Sequence, residues 1–214
     1  EWILQLNCLD DKHDLGVHSE NLPRGMASLV MKGVITGALK NVNPGKVVST
    51  ACGGGTQEEM QFINMNPIFE LYSSDYVLDP RVIAAHDNMA AINAAMAVDL
   101  TGQIAAESVG PRMVSGTGGQ LAFAIGAALS RGGRNITVLP STARNGTLSR
   151  IIPQLESGTI ISVPRNLADI VITEYGVARL KGRTQRERAQ QLISIAHPDF
   201  RADLEKEARK LFWP

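Results

Sequence analysis

The sequence is poor in the residues that several classes of protein need in quantity. Its 214 residues include two cysteines and four histidines, and aromatic residues make up only 5%. Cys8 and Cys52 are too few for a disulfide framework, and the histidines lack the spacing of a zinc site. The sequence therefore predicts no bound metal, and its cysteine usage agrees with a reducing compartment.

An excess of charge of one sign is also missing. Lys plus Arg total 21, as do Asp plus Glu, so the formal net charge is zero. Nucleic-acid binders usually carry a basic surplus, because their affinity depends on neutralising phosphates. The longest weakly polar stretch, residues 121–129, is too short to cross a bilayer. Residues 1–6 have no basic region ahead of their apolar residues, unlike a signal peptide. We expect a cytoplasmic protein without nucleic-acid or membrane partners.

What the chain does have is the composition of an ordinary globular protein, with 44% hydrophobic and 20% charged residues. Apolar runs alternate between strand-like and helix-like spacing. Strands are expected at residues 14–20, 46–51, 68–72, 136–139, 158–163 and 170–173, with a hairpin over 89–108. Helices are expected at 27–40, 56–63, 120–130 and 184–212, the last broken at His197-Pro198.

Such alternation, with several strands apolar on both faces, predicts an α/β fold with an open, largely parallel sheet flanked by helices. The sequence contains no internal repeat, linker or low-complexity tract. We therefore expect one domain over residues 1–214.

In an open α/β sheet, ligands bind beyond the carboxyl ends of the strands. Four segments place polar residues or glycines at such ends: 18–20, 53–55, 116–119 and 173–176. The glycine loop of residues 116–119 precedes a helix, so its backbone N–H groups can converge on an anion such as a phosphate or a developing oxyanion. A tight turn without a ligand is the plain alternative.

Single residues in these segments leave two interpretations open. Glu20 could be a nucleophile or a base, and Glu174 faces the same choice, although a carboxylate at a strand end is more often a surface residue or a helix cap. Cys52 has no activating partner in the sequence, which favours a small buried residue. His18 flanks Glu20, and Asn93 could satisfy backbone groups in a buried hairpin.

Read in order, a set of motifs resembles one known family. The match runs from about residue 15 to 212 and consists of His18-Ser19-Glu20, Pro44-Gly45-Lys46-Val47-Val48, Asp87-Asn88-Met89 through Ile92-Asn93, Val98-Asp99-Leu100-Thr101-Gly102-Gln103, Ser115-Gly116-Thr117-Gly118-Gly119-Gln120, Pro140-Ser141-Thr142-Ala143, Ser149-Arg150-Ile151, Thr173-Glu174-Tyr175-Gly176-Val177-Ala178 and Ala196-His197-Pro198. The family is the acetyl-CoA hydrolase/transferase group of class I CoA-transferases, and the branch resembled is that of 4-hydroxybutyrate and butyrate:acetate CoA-transferases.

The resemblance implies that Glu20 is the nucleophile. Its carboxylate would attack an acyl-CoA thioester to give an acyl-glutamyl anhydride and then a glutamyl-CoA thioester, from which a second carboxylic acid takes the CoA. A carboxylate is already ionised near neutral pH and needs no partner base. Coenzyme A is then a substrate and a transient covalent intermediate, and no permanently bound cofactor is expected.

The resemblance also assigns roles to the other candidates. Backbone N–H groups around Gly116, Gly118 and Gly119 would form an oxyanion hole for the thioester oxygen. Asn93 matches a position that touches CoA or the acyl group. Glu174 matches a second carboxylate, which would orient the substrate or tune Glu20 through like-charge repulsion.

The chain departs from the family pattern in three places. Ala122 stands where the family has an aspartate, in a run that here reads Gly118-Gly119-Gln120-Leu121-Ala122-Phe123. Arg24, shortly after the nucleophile, adds a positive charge that would favour an acyl group carrying a second carboxylate. Family members are about twice as long, so an N-terminal half is the expected partner, and the family suggests a homo-oligomer.

Other functions stay open at this point. Acyl-CoA hydrolysis differs from transfer only in that water attacks the glutamyl intermediate. A non-catalytic module that binds CoA or a partner subunit is a second alternative, and a sugar-phosphate isomerase on a related fold ranks last. The sequence names neither the acyl donor nor the acceptor.

Overall fold

The computed structural model describes residues 8–213. The prediction that no signal peptide is present rests on residues 1–6 and lies outside the described residues. The chain divides into two compact units, residues 1–87 and 88–214, and each is described below by itself. That the chain is one domain stays a prediction.

The first unit is a small parallel sheet with short helices. Its strands are β1 (Val17–Leu22), β2 (Val47–Cys52) and β3 (Phe69–Leu71), and its helices are α1 (Met26–Met31), α2 (Gln57–Ile63), α3 (Ser74–Val77) and α4 (Pro80–Ala84). The strands lie in the order β1-β2-β3 and all run parallel. The core of this unit consists of Leu22, Leu29, Val30, Val34, Ile35 and Val47.

Local sequence explains where two of these helices begin and end. Helix α2 begins at a capping box, in which the Thr56 hydroxyl accepts from the Glu59 N–H and the Glu59 carboxylate accepts from the Thr56 N–H. The helix expected over residues 27–40 is much shorter, because α1 ends at Met31. Gly33 and Gly37 have φ angles of 75° and 66°, in the left-handed region that ends helices.

The second unit contains a larger sheet and the longer helices. Its strands are β4 (Ala90–Ala94), β5 (Ala97–Asp99), β6 (Ile104–Ala105), β7 (Ser108–Val109), β8 (Arg112–Met113), β9 (Arg134–Val138), β10 (Thr142–Ala143), β11 (Leu148–Ser149), β12 (Ile151–Ile152), β13 (Ile170–Thr173) and β14 (Gly176–Arg179). Its helices are α5 (Gln120–Leu129), α6 (Gln185–Ser194) and α7 (Pro198–Phe212).

The main sheet of the second unit has the order β14-β13-β9-β4. Strands β4, β9 and β13 are parallel, and β14 pairs with β13 in the antiparallel sense. Helix α5 packs on β4 and β9, and α6 packs on β14 and α7. The core beneath them includes Val171, Ala178 and Leu192. This is the predicted α/β fold, with mostly parallel sheets flanked by helices.

Two strand predictions in this unit need correction. The run over residues 89–108 divides among three sheets: β4 joins the main sheet, β5 and β6 form a hairpin that turns at Gly102, with φ 94°, and Ser108 begins β7, which pairs with β8. Residues 158–163 form no strand beyond a single bridge from Val163 to Ile104. Pro164 follows directly and cannot donate to a ladder, which limits this pairing. The break at His197-Pro198 is confirmed, since α7 begins there.

No helix in the described part of the chain is long and apolar enough to cross a bilayer.

Candidate active site

Glu20 lies within β1, not at its tip, since the strand continues to Leu22. Its side chain is half-buried, and strand alternation places it on the same face as the buried His18 and Leu22. The backbone at Glu20 is fixed by the parallel ladder with β2 and by the Thr50 hydroxyl, which donates to the Glu20 carbonyl. The carboxylate therefore projects from a rigid strand rather than from a loop.

His18 is a structural neighbour of Glu20. It is 8% exposed, and its Nε2 donates to the Val77 carbonyl at 2.8 Å. Burial lowers the pKa of His18 to about 4, and burial also lowers the pKa of His86, whose ring lies 4.6 Å away. Both rings are uncharged at neutral pH, so His18 supplies no positive charge on the strand face it shares with Glu20.

Lys40 is a third basic group whose pKa is lowered by burial. Burial lowers the pKa of its ammonium to about 8, although the charge of Glu70 opposes the shift. The ammonium donates to the carbonyls of Val17 and Lys46 at 2.8 Å each, which joins the amino ends of β1 and β2. A Cβ at Gly16 would lie 2.5 Å from the Lys40 stem, so that glycine makes room for the lysine.

The glycine run after β2 packs against the protein itself. The Gly53 N–H donates to the Leu22 carbonyl at 2.9 Å, and a Cβ at Gly53 would lie 2.2 Å from the Asn21 side chain. A Cβ at Gly55 would lie 3.0 Å from a carboxylate oxygen of Glu59. These glycines admit neighbouring side chains, so the loop is a packing feature of the strand ends.

Glu59 is a residue whose wider role the sequence did not reveal. It is 7% exposed, and besides its capping contact it accepts the Gly25 N–H at 2.8 Å, which ties the turn after β1 to α2. Burial raises its pKa, but hydrogen bonds from the backbone of Thr56, Gly25 and Ser28, together with the charge of Arg24, lower it overall. The Thr-x-x-Glu spacing predicts the cap, whereas the bond to Gly25 depends on tertiary structure.

In the second unit, Asn93 lies near the carboxyl end of β4, and a contact from the start of α5 reaches the same strand end. Asn93 is half-buried on this edge strand. The Gln120 side chain, at the start of α5, donates to the Ala94 carbonyl at 3.3 Å. That contact fixes the N-terminus of α5, and with it the loop, beside the end of the strand that carries Asn93.

The loop itself is open. Gly116 and Gly118 are exposed, and Gly119 occupies the N-cap of α5, where it has no side chain to accept a hydrogen bond. A Cβ at Gly116 would meet nothing within 4 Å. Gly116 and the exposed Gly118 leave the loop accessible ahead of a helix N-terminus, an arrangement able to receive an anionic oxygen, whereas Gly119 is buried.

Glu174 follows β13 and is held by one residue. The Ser141 hydroxyl donates to one carboxylate oxygen at 2.5 Å, and the Ser141 N–H donates to the other at 2.8 Å. Burial raises the pKa of Glu174, but these bonds and the nearby His197 outweigh it and lower the pKa overall. Glu174 is thus an ionised carboxylate with both oxygens engaged.

The Asp99 run serves a structural purpose. Asp99 is 1% exposed and accepts four hydrogen bonds, from the backbone and side chain of Thr101 and of Gln103, at 2.6–3.1 Å. These bonds lock the turn between β5 and β6. The motif that carries part of the family resemblance is therefore a turn, not a set of ligands.

The predicted site residues are divided between the units: Glu20 lies in the first, and Asn93, the glycine loop and Glu174 lie in the second. Because the carboxyl ends of parallel strands share an edge, Asn93 at the end of β4 and Glu174 after β13 lie at the same edge of their sheet. Among residues 8–213, no group of three or more histidine, cysteine, aspartate or glutamate side chains is arranged to hold a metal ion.

A groove of about 730 Å³ lies elsewhere in the second unit. It runs between α6 and α7 and is lined by residues that include Ile193, Arg201 and Trp213. None of the predicted site residues lines it. The groove is open and belongs to the helical layer, so the carboxyl edge of the sheet is the better candidate for chemistry.

Comparison with known proteins assigns the chain to a family. The family model for the acetyl-CoA hydrolase/transferase C-terminal domain matches residues 55–208. A 4-hydroxybutyrate coenzyme A transferase of Clostridium kluyveri is 49% identical over 95% of this chain and 47% of its own length. The structure of a 4-hydroxybutyrate CoA-transferase from Porphyromonas gingivalis superposes with a TM-score of 0.83 at 42% identity, over 98% of this chain and 48% of that one.

Similarity to proteins with hydrolase names is lower. An acetyl-CoA hydrolase of Schizosaccharomyces pombe is 30% identical over 62% of this chain and 26% of its own length. The chain spans about half the length of the curated transferase relatives it matches. The match of the family model over most of the sequence shows that this chain belongs to the acetyl-CoA hydrolase/transferase family, in which residues 55–208 correspond to the C-terminal domain.

Proposed function

We propose that the chain is the catalytic C-terminal half of a CoA-transferase that moves CoA from an acyl-CoA thioester to a small carboxylic acid. The observation that carries this proposal is the open glycine loop at the start of α5, fixed beside Asn93 through Gln120. Such a loop suits a thioester, whose carbonyl oxygen becomes negative when a nucleophile attacks. The similarity to named CoA-transferases supports the same reaction.

The proposed nucleophile is Glu20. Its carboxylate oxygen forms a bond to the thioester carbon, and the carbon–sulfur bond breaks to give an acyl-glutamyl anhydride and CoA thiolate. The thiolate then attacks the glutamyl carbonyl, which releases the first carboxylate and leaves a glutamyl-CoA thioester. A second carboxylate repeats these steps in reverse and leaves with CoA, and Glu20 returns as a carboxylate.

The other residues act on the substrate rather than in covalent chemistry. Backbone N–H groups around Gly116, Gly118 and Gly119 stabilise the developing oxyanion. Asn93 contacts CoA or the acyl group. Glu174, which is ionised and held by Ser141, orients the substrate. Coenzyme A is substrate and transient covalent partner, with no permanently bound cofactor.

The partners follow from the same proposal. Acyl-CoA and a small carboxylate are the substrates, and an N-terminal half completes the enzyme, because the transferase relatives are about twice as long as this chain. A homo-oligomer is part of the proposal. Arg24, which is exposed on the turn after β1, favours acyl groups that carry a second carboxylate.

Hydrolysis is the competing outcome of the same intermediate. If water reaches the glutamyl-CoA thioester before a carboxylate does, the products are free acid and CoA. One of the less similar relatives is named an acetyl-CoA hydrolase, which supports hydrolysis as the alternative function. The two functions share Glu20 and differ in the acceptor.

The test is to trap the intermediate. The chain, alone and together with the N-terminal half of a relative, is incubated with butyryl-CoA and then with borohydride, which reduces a glutamyl thioester to an alcohol. We expect the peptide that contains Glu20 to lose mass, and a Glu20→Gln variant to show no change. Exchange of the exposed Glu58 for Gln, on α2, is the matched control that keeps the trapping.

Absence of trapping in both preparations, with the protein folded, would refute the proposed nucleophile. Release of free butyrate without an added acceptor, at the rate of CoA transfer, would instead identify a hydrolase.

A further inference from the structure

Glu174 combines two properties that rarely occur together. Its residue is exposed, yet both oxygens of its carboxylate accept hydrogen bonds from the same buried neighbour. An exposed glutamate ordinarily samples several rotamers, because ordering so long a side chain costs entropy. Two donors from one residue, at 2.5 and 2.8 Å, restrict the carboxylate to one plane and one direction.

The donor is itself well fixed. Ser141 is 0% exposed and precedes β10 directly. Its carbonyl accepts the Arg150 N–H at 2.8 Å, and the Arg150 guanidinium donates to the carbonyls of Thr142 at 3.3 Å and Met96 at 3.2 Å. The segment after β9 is thereby joined to the segment after β4, so Ser141 cannot follow a moving glutamate.

We propose that Ser141 is a positioning residue that fixes the Glu174 carboxylate in one orientation at the carboxyl edge of the sheet, as an acceptor for substrate. The proposal takes its substrate from the proposed function and therefore rests on it. The Ser141–Glu174 contact itself does not depend on that function. Each carboxylate oxygen has a second lone pair, so Glu174 can accept from a ligand while both bonds to Ser141 stay in place.

The contact also argues against a general-acid role for Glu174. A carboxylate that two donors hold ionised is a poor general acid, since protonation would cost it both charge-assisted bonds. The charge of His197, at the start of α7, also lowers the pKa of Glu174. Glu174 therefore orients the substrate as a fixed negative acceptor.

The first experiment needs only the folded chain. The side-chain carboxyl groups are labelled with ¹³C and titrated by NMR in the native chain, in Ser141→Ala and in Ser162→Ala. Ser162 is an equally suitable buried serine of the same unit, 4% exposed, whose hydroxyl accepts the Ala106 N–H. We expect the pKa of Glu174 to rise in Ser141→Ala and to stay unchanged in Ser162→Ala. An unchanged titration of Glu174 in Ser141→Ala overturns the proposal.

Hydrogen exchange covers the case in which Ser141→Ala does not fold. In Glu174→Ala the Ser141 amide loses its acceptor, and we expect its exchange to accelerate by about tenfold or more. The Asn135 amide, which donates to Asp169 at 3.2 Å in the same unit, is the internal control and keeps its rate. Equal rates for Ser141 in both proteins would contradict the contact.

The last experiment separates positioning from simple stability. In the enzyme completed with an N-terminal half, we expect Ser141→Ala to lower kcat by about tenfold with a smaller change in KM, as for a misaligned group. In a Glu174→Gln background the same change should have no further effect, because Ser141 acts only through Glu174. Additive effects overturn the proposal. Failure to trap an intermediate at Glu20 would count against the proposed function and leave the titration result standing.

Discussion

In the first unit burial lowers the pKa of basic side chains, whereas in the second unit hydrogen bonds keep a carboxylate ionised. His18 lies on β1 and Lys40 contacts its amino end, and burial lowers their pKa values to about 4 and about 8. Glu174 lies at the end of β13 with a pKa lowered by two bonds from Ser141. The first arrangement leaves His18 uncharged on the strand that carries the proposed nucleophile, and the second fixes a negative charge.

The difference indicates how the two units divide the chemistry. A carboxylate nucleophile is weakened when a cation neutralises it, so the neutral His18 on β1 and the neutral His86 beside it suit the role proposed for Glu20. An orienting group benefits instead from a fixed position and a fixed charge, which Ser141 gives to Glu174.

Exchange of Glu20 for Gln should remove the nucleophile while keeping the shape of the side chain. Loss of a covalent nucleophile costs about 10⁴-fold or more in turnover. Initial rates of CoA transfer, measured in the enzyme completed with an N-terminal half, provide the test, with Glu58→Gln as control. A Glu20→Gln enzyme that retains a tenth of the activity would place the nucleophile elsewhere.

Acid should weaken the first unit through His18. The pKa of this histidine is about 4 in the folded chain against an ordinary value of 6.5, so the unfolded state binds the proton first. Stability is fully present above about pH 6.5 and falls as the pH drops towards 4, by about 2 kcal/mol on reaching about pH 5 and about 3 kcal/mol in all. His86, also lowered, adds to the loss in the same direction.

Urea unfolding at a series of pH values measures this loss. In His18→Gln the slope between about pH 6.5 and 5 should become shallower, because the depressed titration is gone. Exchange of His13 for Gln, at an exposed position outside any strand, should leave the slope as it is. A native chain whose stability is constant over this range would show that His18 is not held neutral.

Placing a methyl group on the glycine loop should impair ligand binding without unfolding the chain. A Cβ at Gly116 meets nothing within 4 Å, so Gly116→Ala is tolerated by the protein. If the thioester approaches the loop closely, we expect activity to fall by about 10–100-fold, somewhat less than after removal of an oxyanion donor. Gly45→Ala is the contrasting control, since φ +73° makes it strained but it lies outside the proposed site.

The Gly45 control should lose about 1 kcal/mol of stability and keep its turnover. Unchanged kinetics in Gly116→Ala would mean that the loop is a turn without a ligand, the plain alternative that the sequence left open.

How much the sequence predicted depends on whether the signal was local. The capping box at Thr56 and the break at Pro198 were predictable, since each depends on residues within one turn. The contact of Glu59 with Gly25 joins positions far apart in the chain, and no local pattern encodes it. The same holds for Ser141 and Glu174, which are 33 residues apart. The early end of α1 was missed because apolar spacing outweighed Gly33, whose φ of 75° ends the helix.

The candidate residues were identified from ordered motifs in the sequence. The structure agrees with some of these candidates and gives others a packing role instead. Glu174 follows a strand directly, as expected, whereas Glu20 lies within β1 rather than at its end. The glycines after β2, by contrast, make room for Asn21 and Glu59, which spacing alone could not distinguish from a ligand loop.

Two helix-cap substitutions, each with a small effect on the free energy of unfolding, test whether the two units are one domain. Thr56 and Thr184 each form a capping box of the same kind, Thr56 at the start of α2 in the first unit and Thr184 at the start of α6 in the second. Each exchange for Ala should cost about 1 kcal/mol. If residues 1–214 unfold as one domain, as the sequence predicts, both variants lower the same denaturant midpoint by similar amounts, and amide exchange by global unfolding accelerates throughout. Two separate transitions, each moved by only one of the variants, would mean that the proposed nucleophile and the carboxyl edge belong to domains that fold independently.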